Sequence, residues 1–165
     1  MTPCRHVMQC LLLAAAVLLG GCATPSRQPP TAAVAAFWSG RMGLEIQSQP
    51  PQSLSAAFEL QGSAERGELL LLSPIGSTLA QLSWSPQTAH LAQGGRQWSS
   101  SNLDDLTTQL SGTTLPVAAL FDWLSGQAST PAGWQVDLSQ WGQGRIQAER
   151  QVPAPAVQLK VVLER

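Results

Sequence analysis

The sequence is poor in the side chains on which catalysis and nucleic-acid binding depend. Charged residues make up 12% of its 165 residues, the formal net charge is −1, and its two histidines are His6 and His90. Without a basic stripe, the chain lacks the electrostatic footprint of a nucleic-acid partner. It has no P-loop, dinucleotide fingerprint or G-x-S-x-G elbow. His90 is the single histidine that remains if the N-terminus is removed as a signal peptide, and one histidine makes neither a zinc site nor a base for many serines. These shortages disfavour an enzyme, a bound metal and a nucleic-acid-binding protein.

Cysteine is also scarce, and its positions are informative. Of the three cysteines, Cys4 precedes the apolar run CLLLAAAVLLGGC, which follows a basic start, and Cys10 and Cys22 are its first and last residues. That run is a secretory signal core, too short to span a bilayer comfortably. Its last four residues, LGGC, match the lipobox of bacterial lipoproteins, whose thiol accepts a diacylglyceryl group. We therefore predict that residues 1–21 are a signal peptide that is removed and that Cys22 is lipidated; the alternative is an ordinary signal peptide with a chance cysteine.

The residues after Cys22 indicate where the lipid anchor resides and what it carries. Ala23 stands where many bacteria place an aspartate to retain a lipoprotein in the inner membrane, so anchoring in the outer membrane is favoured. The Pro- and Ser-containing stretch that follows has no hydrophobic periodicity, and we interpret residues 22–31 as a lipidated flexible tether. Residues 32–165 have the length of one domain.

Period-two alternation of apolar and polar residues dominates this domain. It recurs at residues 42–46, 54–60, 78–84, 134–138 and 157–163, separated by turns that contain Gly and Pro, and predicts an antiparallel sheet with one apolar face. ELLLLS at residues 68–73 is apolar on both faces. Residues 32–38 fit either a short apolar helix or the start of the first strand. Six tryptophans supply most of the aromatic packing, and we expect Trp38, Trp98 and Trp123 in the core rather than against a ligand.

Two segments have the period and caps of short amphipathic helices. Residues 101–112 begin with Ser101 or Asn102 as N-cap and end at Gly112, and residues 115–126 have Pro116 in the first turn. Two or three short helices over a curved sheet either cover a packed core or close over a cavity. Pattern alone favours the packed core.

Three segments of the sequence, taken together, resemble a known family. FWSGRMGLEI, GELLLLSPIGSTLAQLSW and LTTQLSGTTLPVAALFDWLSG are similar, in order and spacing, to the outer-membrane lipoprotein receptor LolB, and the likeness covers most of residues 37–126. The resemblance implies a mainly β fold with a few α-helices, an incomplete antiparallel β-barrel closed by a short helical lid. The segment between Gly126 and Gly133 is shorter than is typical of the family, which leaves the size of the sheet and of its cavity open.

The resemblance also implies partners and a task. Such a receptor is a monomer anchored at the periplasmic face of the outer membrane; it takes acylated client lipoproteins from the periplasmic carrier LolA and inserts them into that membrane. No nucleotide or cofactor takes part. Without the resemblance, two alternatives remain. The first is a structural or adaptor lipoprotein that supports an envelope assembly and has no cavity, and a lipid-modifying enzyme is a distant second.

Site residues follow from the same resemblance. Pro74, Ile75 and Gly76 correspond to a loop that presents an exposed aliphatic residue to the membrane, whereas the residue pattern alone favours an Ile75 that folds back to plug the barrel end. The acyl-chain cavity is expected to be lined by strand residues and by lid residues. These are Leu44, Ile46, Phe58, Leu60, Leu70, Leu72, Leu82 and Trp84 from the strands, and Leu106, Leu110, Val117, Leu120, Phe121 and Leu124 from the lid.

Overall fold

The computed structural model describes residues 36–131 and 133–164. The signal peptide, Cys22 and the tether predicted from the sequence therefore lie outside the described residues. Within that part of the chain, two α-helices and nine strands follow one another, with a single 3-10 turn at Trp141–Gln143.

One antiparallel sheet contains all nine strands. The strands are β1 (Ala36–Ile46), β2 (Gln52–Gly62), β3 (Gly67–Leu72), β4 (Thr78–Ser85), β5 (Thr88–Gln93), β6 (Arg96–Ser100), β7 (Trp134–Asp137), β8 (Arg145–Arg150) and β9 (Val157–Leu163). Their spatial order is β6-β5-β4-β3-β2-β1-β9-β8-β7, so β6 and β7 are the two free edges and the sheet does not close on itself. The first and last of these strands, β1 and β9, meet inside the sheet, where Leu44 lies opposite Leu159.

The sheet has a dry inner face because apolar residues alternate along its strands. Every second residue of β1, from Met42 to Ile46, is buried, and each lies opposite an inward residue of β2 or β9. Side chains of successive strand residues point to opposite faces, so the residues between them face solvent. The predicted antiparallel sheet with one apolar face is confirmed, and residues 36–38 belong to the first strand rather than to a helix.

Strand β3 corrects one part of the sequence interpretation. Leu69 and Leu71 are the buried leucines, paired with the inward residues of β2 and β4, whereas Leu70 and Leu72 are half-buried on the opposite face. The assignment of Leu70 and Leu72 to the interior is therefore wrong. Four consecutive leucines carry no period, so only the register with the neighbouring strands decides which pair points inward.

Two short helices cover the inner face between the free edges. Helix α1 (Leu103–Ser111) begins at Asn102, whose side chain accepts a hydrogen bond from the Asp104 N–H, and it ends at Gly112 in the left-handed conformation. Helix α2 (Val117–Leu124) begins after Pro116, which makes no side-chain cap bond. The two helices predicted from the sequence are confirmed. Pro116, which was predicted in the first turn of the second helix, is instead its N-cap.

Specific contacts hold the helices over the sheet. Helix α1 lies against β4, β5 and β6. Phe121 on α2 meets Trp38 and Trp84 edge to face, at centroid distances of 5.5 and 6.1 Å. The Trp141 indole N–H donates to the Leu124 carbonyl and so secures the end of α2. The helices therefore occupy the place where further strands would close the barrel, and the expected incomplete barrel with a helical lid is confirmed.

Candidate acyl-chain site and exposed loop

Twelve of the fourteen residues proposed for the cavity meet in one buried apolar cluster. The inward residues of β1, β2 and β4 form its floor, and the undersides of both helices form its roof. Each side chain is at most 8% exposed. They are Leu44, Ile46, Phe58, Leu60, Leu82, Trp84, Leu106, Leu110, Val117, Leu120, Phe121 and Leu124.

Residues that the sequence interpretation left out complete this interior. Leu69 and Leu71 replace Leu70 and Leu72, and β9 contributes Val157, Leu159 and Val161. Trp123 is fully buried beside Trp134, with ring centroids 5.8 Å apart, and its indole N–H donates to the Ser129 carbonyl. Its placement in the core, like that of the half-buried Trp38 and Trp98, matches the expectation for these tryptophans.

Side-chain hydrogen bonds attach the roof at several points. The Thr107 hydroxyl is fully buried, donates to the Asp104 carbonyl and accepts from the Leu115 N–H, which ties α1 to the linker before α2. Arg150 on β8 donates through Nη2 to the Thr113 hydroxyl at 2.8 Å, which joins the same linker to the sheet. The Ser100 hydroxyl on β6 donates to the Asp105 carboxylate of α1, and the Trp141 indole N–H donates to the Leu124 carbonyl of α2. The other contacts between the roof and the sheet are apolar packing, which has no fixed direction.

Ile75 lies in the opposite environment, at the tip of the β3–β4 turn. It is 89% exposed, the most exposed large hydrophobic side chain among the described residues. Ser73 closes the turn: its carbonyl accepts from the Gly76 N–H, its N–H donates to the Ser77 carbonyl, and its hydroxyl accepts from the Ser77 N–H. Gly76 has φ +82°, which favours glycine. A fold-back of Ile75 to plug the barrel end does not fit this exposure.

The described residues show no other chemistry-bearing centre. His90 is exposed on β5 and hydrogen-bonds Ser99 through Nδ1 at 2.8 Å. Within residues 36–131 and 133–164, no cluster of three or more His, Cys, Asp or Glu residues is placed to hold a metal ion. Neither α1 nor α2 has the length and apolar composition to cross a bilayer, and the same is true of every helix that the structure describes.

Fold and site together define a class of protein: a mainly β chain whose open sheet wraps an apolar interior beneath a helical lid. Comparison with known families gives the particular family. The model of the outer membrane lipoprotein LolB family matches residues 37–152. The chain belongs to that family, and the resemblance recognised from its motifs is confirmed.

Individual relatives agree with this assignment. The outer-membrane lipoprotein LolB of Shewanella baltica (strain OS223) is 30% identical over 158 residues, which cover 92% of this chain and 73% of the relative. That of Chromobacterium violaceum is 30% identical over 137 residues, or 79% and 74% of the two chains. That of Shewanella sp. (strain W3-18-1) is 27% identical over 176 residues, or 90% and 81%.

Proposed function

We propose that this chain is a lipid-anchored receptor at the periplasmic face of the outer membrane. It accepts acylated lipoproteins from the periplasmic carrier LolA, shelters their acyl chains between the sheet and the lid, and releases them into the outer membrane. It acts as a monomer, without catalysis and without a cofactor. The observation that carries this proposal is the open sheet whose gap is covered by two short helices with apolar undersides.

The physical basis of the task is the cost of exposing an acyl chain to water. Each methylene kept out of water is worth about 0.8 kcal/mol, so a chain moves spontaneously only toward a site that covers it better. Aliphatic side chains and tryptophan rings cover a chain without demanding fixed hydrogen bonds. A receptor of this kind must bind acyl chains better than the carrier and less well than the bilayer.

Entry of a chain requires movement of the lid. In the structure, Phe121 contacts both Trp38 and Trp84 edge to face, and the buried side chains belong to one apolar cluster. An arriving acyl chain would take the place of Phe121 and its neighbours on α2. Contacts with the acyl chain would replace the apolar contacts that α2 loses, so the net change in free energy would be small.

Release into the membrane is assigned to the Ile75 turn. A fully exposed isoleucine that enters a lipid interface gains roughly 1.5–3 kcal/mol. Pro74 and Gly76 hold the turn in one shape, so little conformational entropy is lost on contact. Leu72 and Pro74 also line a surface groove of about 340 Å³ beside the turn.

A transfer assay tests this function. The carrier LolA, loaded with a fluorescently labelled acylated lipoprotein, is mixed with liposomes that contain the reconstituted protein or with protein-free liposomes. We expect the label to leave the carrier and to float with the liposomes only when the protein is present. If the label floats equally with both kinds of liposome, transfer does not need the protein and the proposed receptor function is wrong.

A second candidate function is a structural or adaptor role without lipid uptake, and the packed state of the interior favours it. Uptake of an apolar fluorophore separates the two candidates. The purified chain with Cys22→Ala should bind bis-ANS saturably and release it to acylated lipoprotein if the interior opens. A scaffold with a permanently packed core would give no saturable signal.

A further inference from the structure

Arg150 is a buried cation that has no anionic partner among the residues that the structure describes. It is 7% exposed and occupies an inward position at the end of β8, where its neighbours in the alternation, Ile146 and Ala148, are apolar. Its Nη2 donates to the Thr113 hydroxyl at 2.8 Å and, more weakly, to the Pro155 carbonyl at 3.5 Å. These acceptors are neutral, and among residues 36–131 and 133–164 the one ion pair is Lys160–Glu45.

The other two nitrogens of this guanidinium make no hydrogen bond within the described residues. Nε is shielded from solvent and has no hydrogen-bond partner in the described part of the chain, and Nη1 has none there either. The Trp134 ring lies 5.6 Å from Cζ and offers a cation–π contact, which compensates only part of the charge. A buried charge that lacks a counter-ion is costly, and guanidinium nitrogens are suited to the oxygens of a phosphate or carboxylate.

Arg150 also lines a surface groove of about 370 Å³ between the lid helices and the start of β7. Its other lining residues are mainly apolar, among them Pro116, Val117, Ala119 and Trp134. Asp104 borders the same groove but forms no ion pair with Arg150. An apolar groove that contains one uncompensated cation has the chemistry of a site for an amphiphile with a negatively charged head.

We propose that this groove, which we call the lid groove, binds an anionic amphiphile, with its acyl chain against Pro116, Val117 and Trp134 and its oxyanion at Arg150. The head group is a phosphate, as in a phospholipid, or a carboxylate, as in a free fatty acid. The lid groove opens at the surface and shares Val117 and Trp134 with the buried cluster beneath the lid. Its occupation does not depend on the receptor function proposed above.

Binding of matched amphiphiles to the purified full chain with Cys22→Ala tests the proposal by calorimetry, below the critical micelle concentration. Dodecyl phosphate and dodecanoate share a chain length with dodecanol and dodecyltrimethylammonium and differ from them in the charge of the head. We expect at least one anion to bind about tenfold or more tightly than both other compounds. A tighter phosphate indicates a phospholipid, and a tighter carboxylate indicates a fatty acid. Equal affinities for all four heads would overturn the proposal.

Variants locate the site. Arg150→Met should abolish the preference for anions while dodecanol binding persists. Arg145→Met, which removes an exposed charge from the same strand, should leave the preference intact. Filling the groove from its exposed wall with Ala118→Trp should weaken all four compounds. A preference that survives in Arg150→Met or disappears in Arg145→Met would contradict the assignment. If Arg150→Met fails to fold, two results still test the proposal. They are the relative affinities of the four compounds for the parent chain and the weakening of their binding in Ala118→Trp.

These outcomes remain separate from the receptor function. Failure of lipoprotein transfer together with a clear anion preference would discard the receptor and keep the lid groove. Normal transfer together with equal head-group affinities would support the receptor function and contradict the lid-groove proposal.

Discussion

The underside of the lid and the β3–β4 turn place the same kind of side chain in opposite surroundings. Trp123 and Phe121 are 0% and 8% exposed, whereas Ile75 is 89% exposed. Folding accounts for the first two, because burial of a large apolar side chain is worth roughly 1.5–3 kcal/mol or more. It does not account for Ile75, since a turn that requires Gly at position 76 accepts almost any residue at position 75. Folding therefore does not explain the isoleucine, and its exposure is the property that the proposed membrane contact would use.

We expect the largest loss of stability when Trp123 is replaced, because its side chain is fully buried and donates to the Ser129 carbonyl. Trp123→Ala leaves a large cavity and an unpaired carbonyl, and we expect it to lower the free energy of unfolding by about 3–5 kcal/mol. Urea denaturation of the two chains measures the difference. Trp141→Ala, at a 41% exposed tryptophan, should cost about 1 kcal/mol, the order of a single hydrogen bond. Similar losses in the two variants would show that Trp123 does not anchor the lid.

The sheet beneath the lid depends on a close approach at Gly40. A Cβ there would collide with the Val162 carbonyl oxygen and lie 2.9 Å from the Leu163 Cα, so β1 and β9 would have to separate locally. We expect Gly40→Ala to destabilise the chain by about 2–3 kcal/mol. Gly43→Ala on the same strand meets nothing within 4 Å and should be neutral or slightly stabilising. Thermal unfolding compares the pair, and equal melting temperatures would contradict the close-approach argument.

The sequence predicted the sheet and both helices because their residues have regular periods. It did not identify β5, β6 and β8 as strands, and in β8 Arg150 occupies an inward position that interrupts the alternation. It placed Leu70 and Leu72 on the wrong face because a run of four leucines leaves the register to long-range pairing with β2 and β4. The lid groove was likewise out of reach, since Arg150 and Pro116 come together only through tertiary structure.

A substitution that weakens the packing of α2 but leaves the chain folded tests whether the interior receives acyl chains. Phe121→Leu removes the two edge-to-face contacts with Trp38 and Trp84, and we expect a loss of about 1–2 kcal/mol in stability. If the space beneath α2 is the acyl-chain site, bis-ANS should bind this variant of the Cys22→Ala chain more tightly. Phe37→Leu changes a phenylalanine that is 57% exposed and should alter neither quantity. Unchanged dye affinity in Phe121→Leu would place lipid uptake elsewhere.

Ile75→Glu should have the smallest effect on stability and a large effect on delivery. Ile75 makes no contribution to the core, so the free energy of unfolding should change by about 0.5 kcal/mol or less. A carboxylate at the tip of the turn would oppose entry into a lipid interface, so lipoprotein should leave the carrier LolA normally but reach liposomes poorly.

Two control variants test whether delivery depends on an apolar side chain at position 75 in particular. Ile75→Leu preserves the apolar side chain and should restore delivery. Val152→Glu introduces the same charge in place of a valine that is 72% exposed in the β8–β9 loop, and it should deliver normally. Equal losses in Ile75→Glu and Val152→Glu would mean that any added charge impairs delivery, and the special role of the β3–β4 turn would have to be given up. A loss confined to position 75 would show that the exposure of this isoleucine serves the membrane rather than the fold.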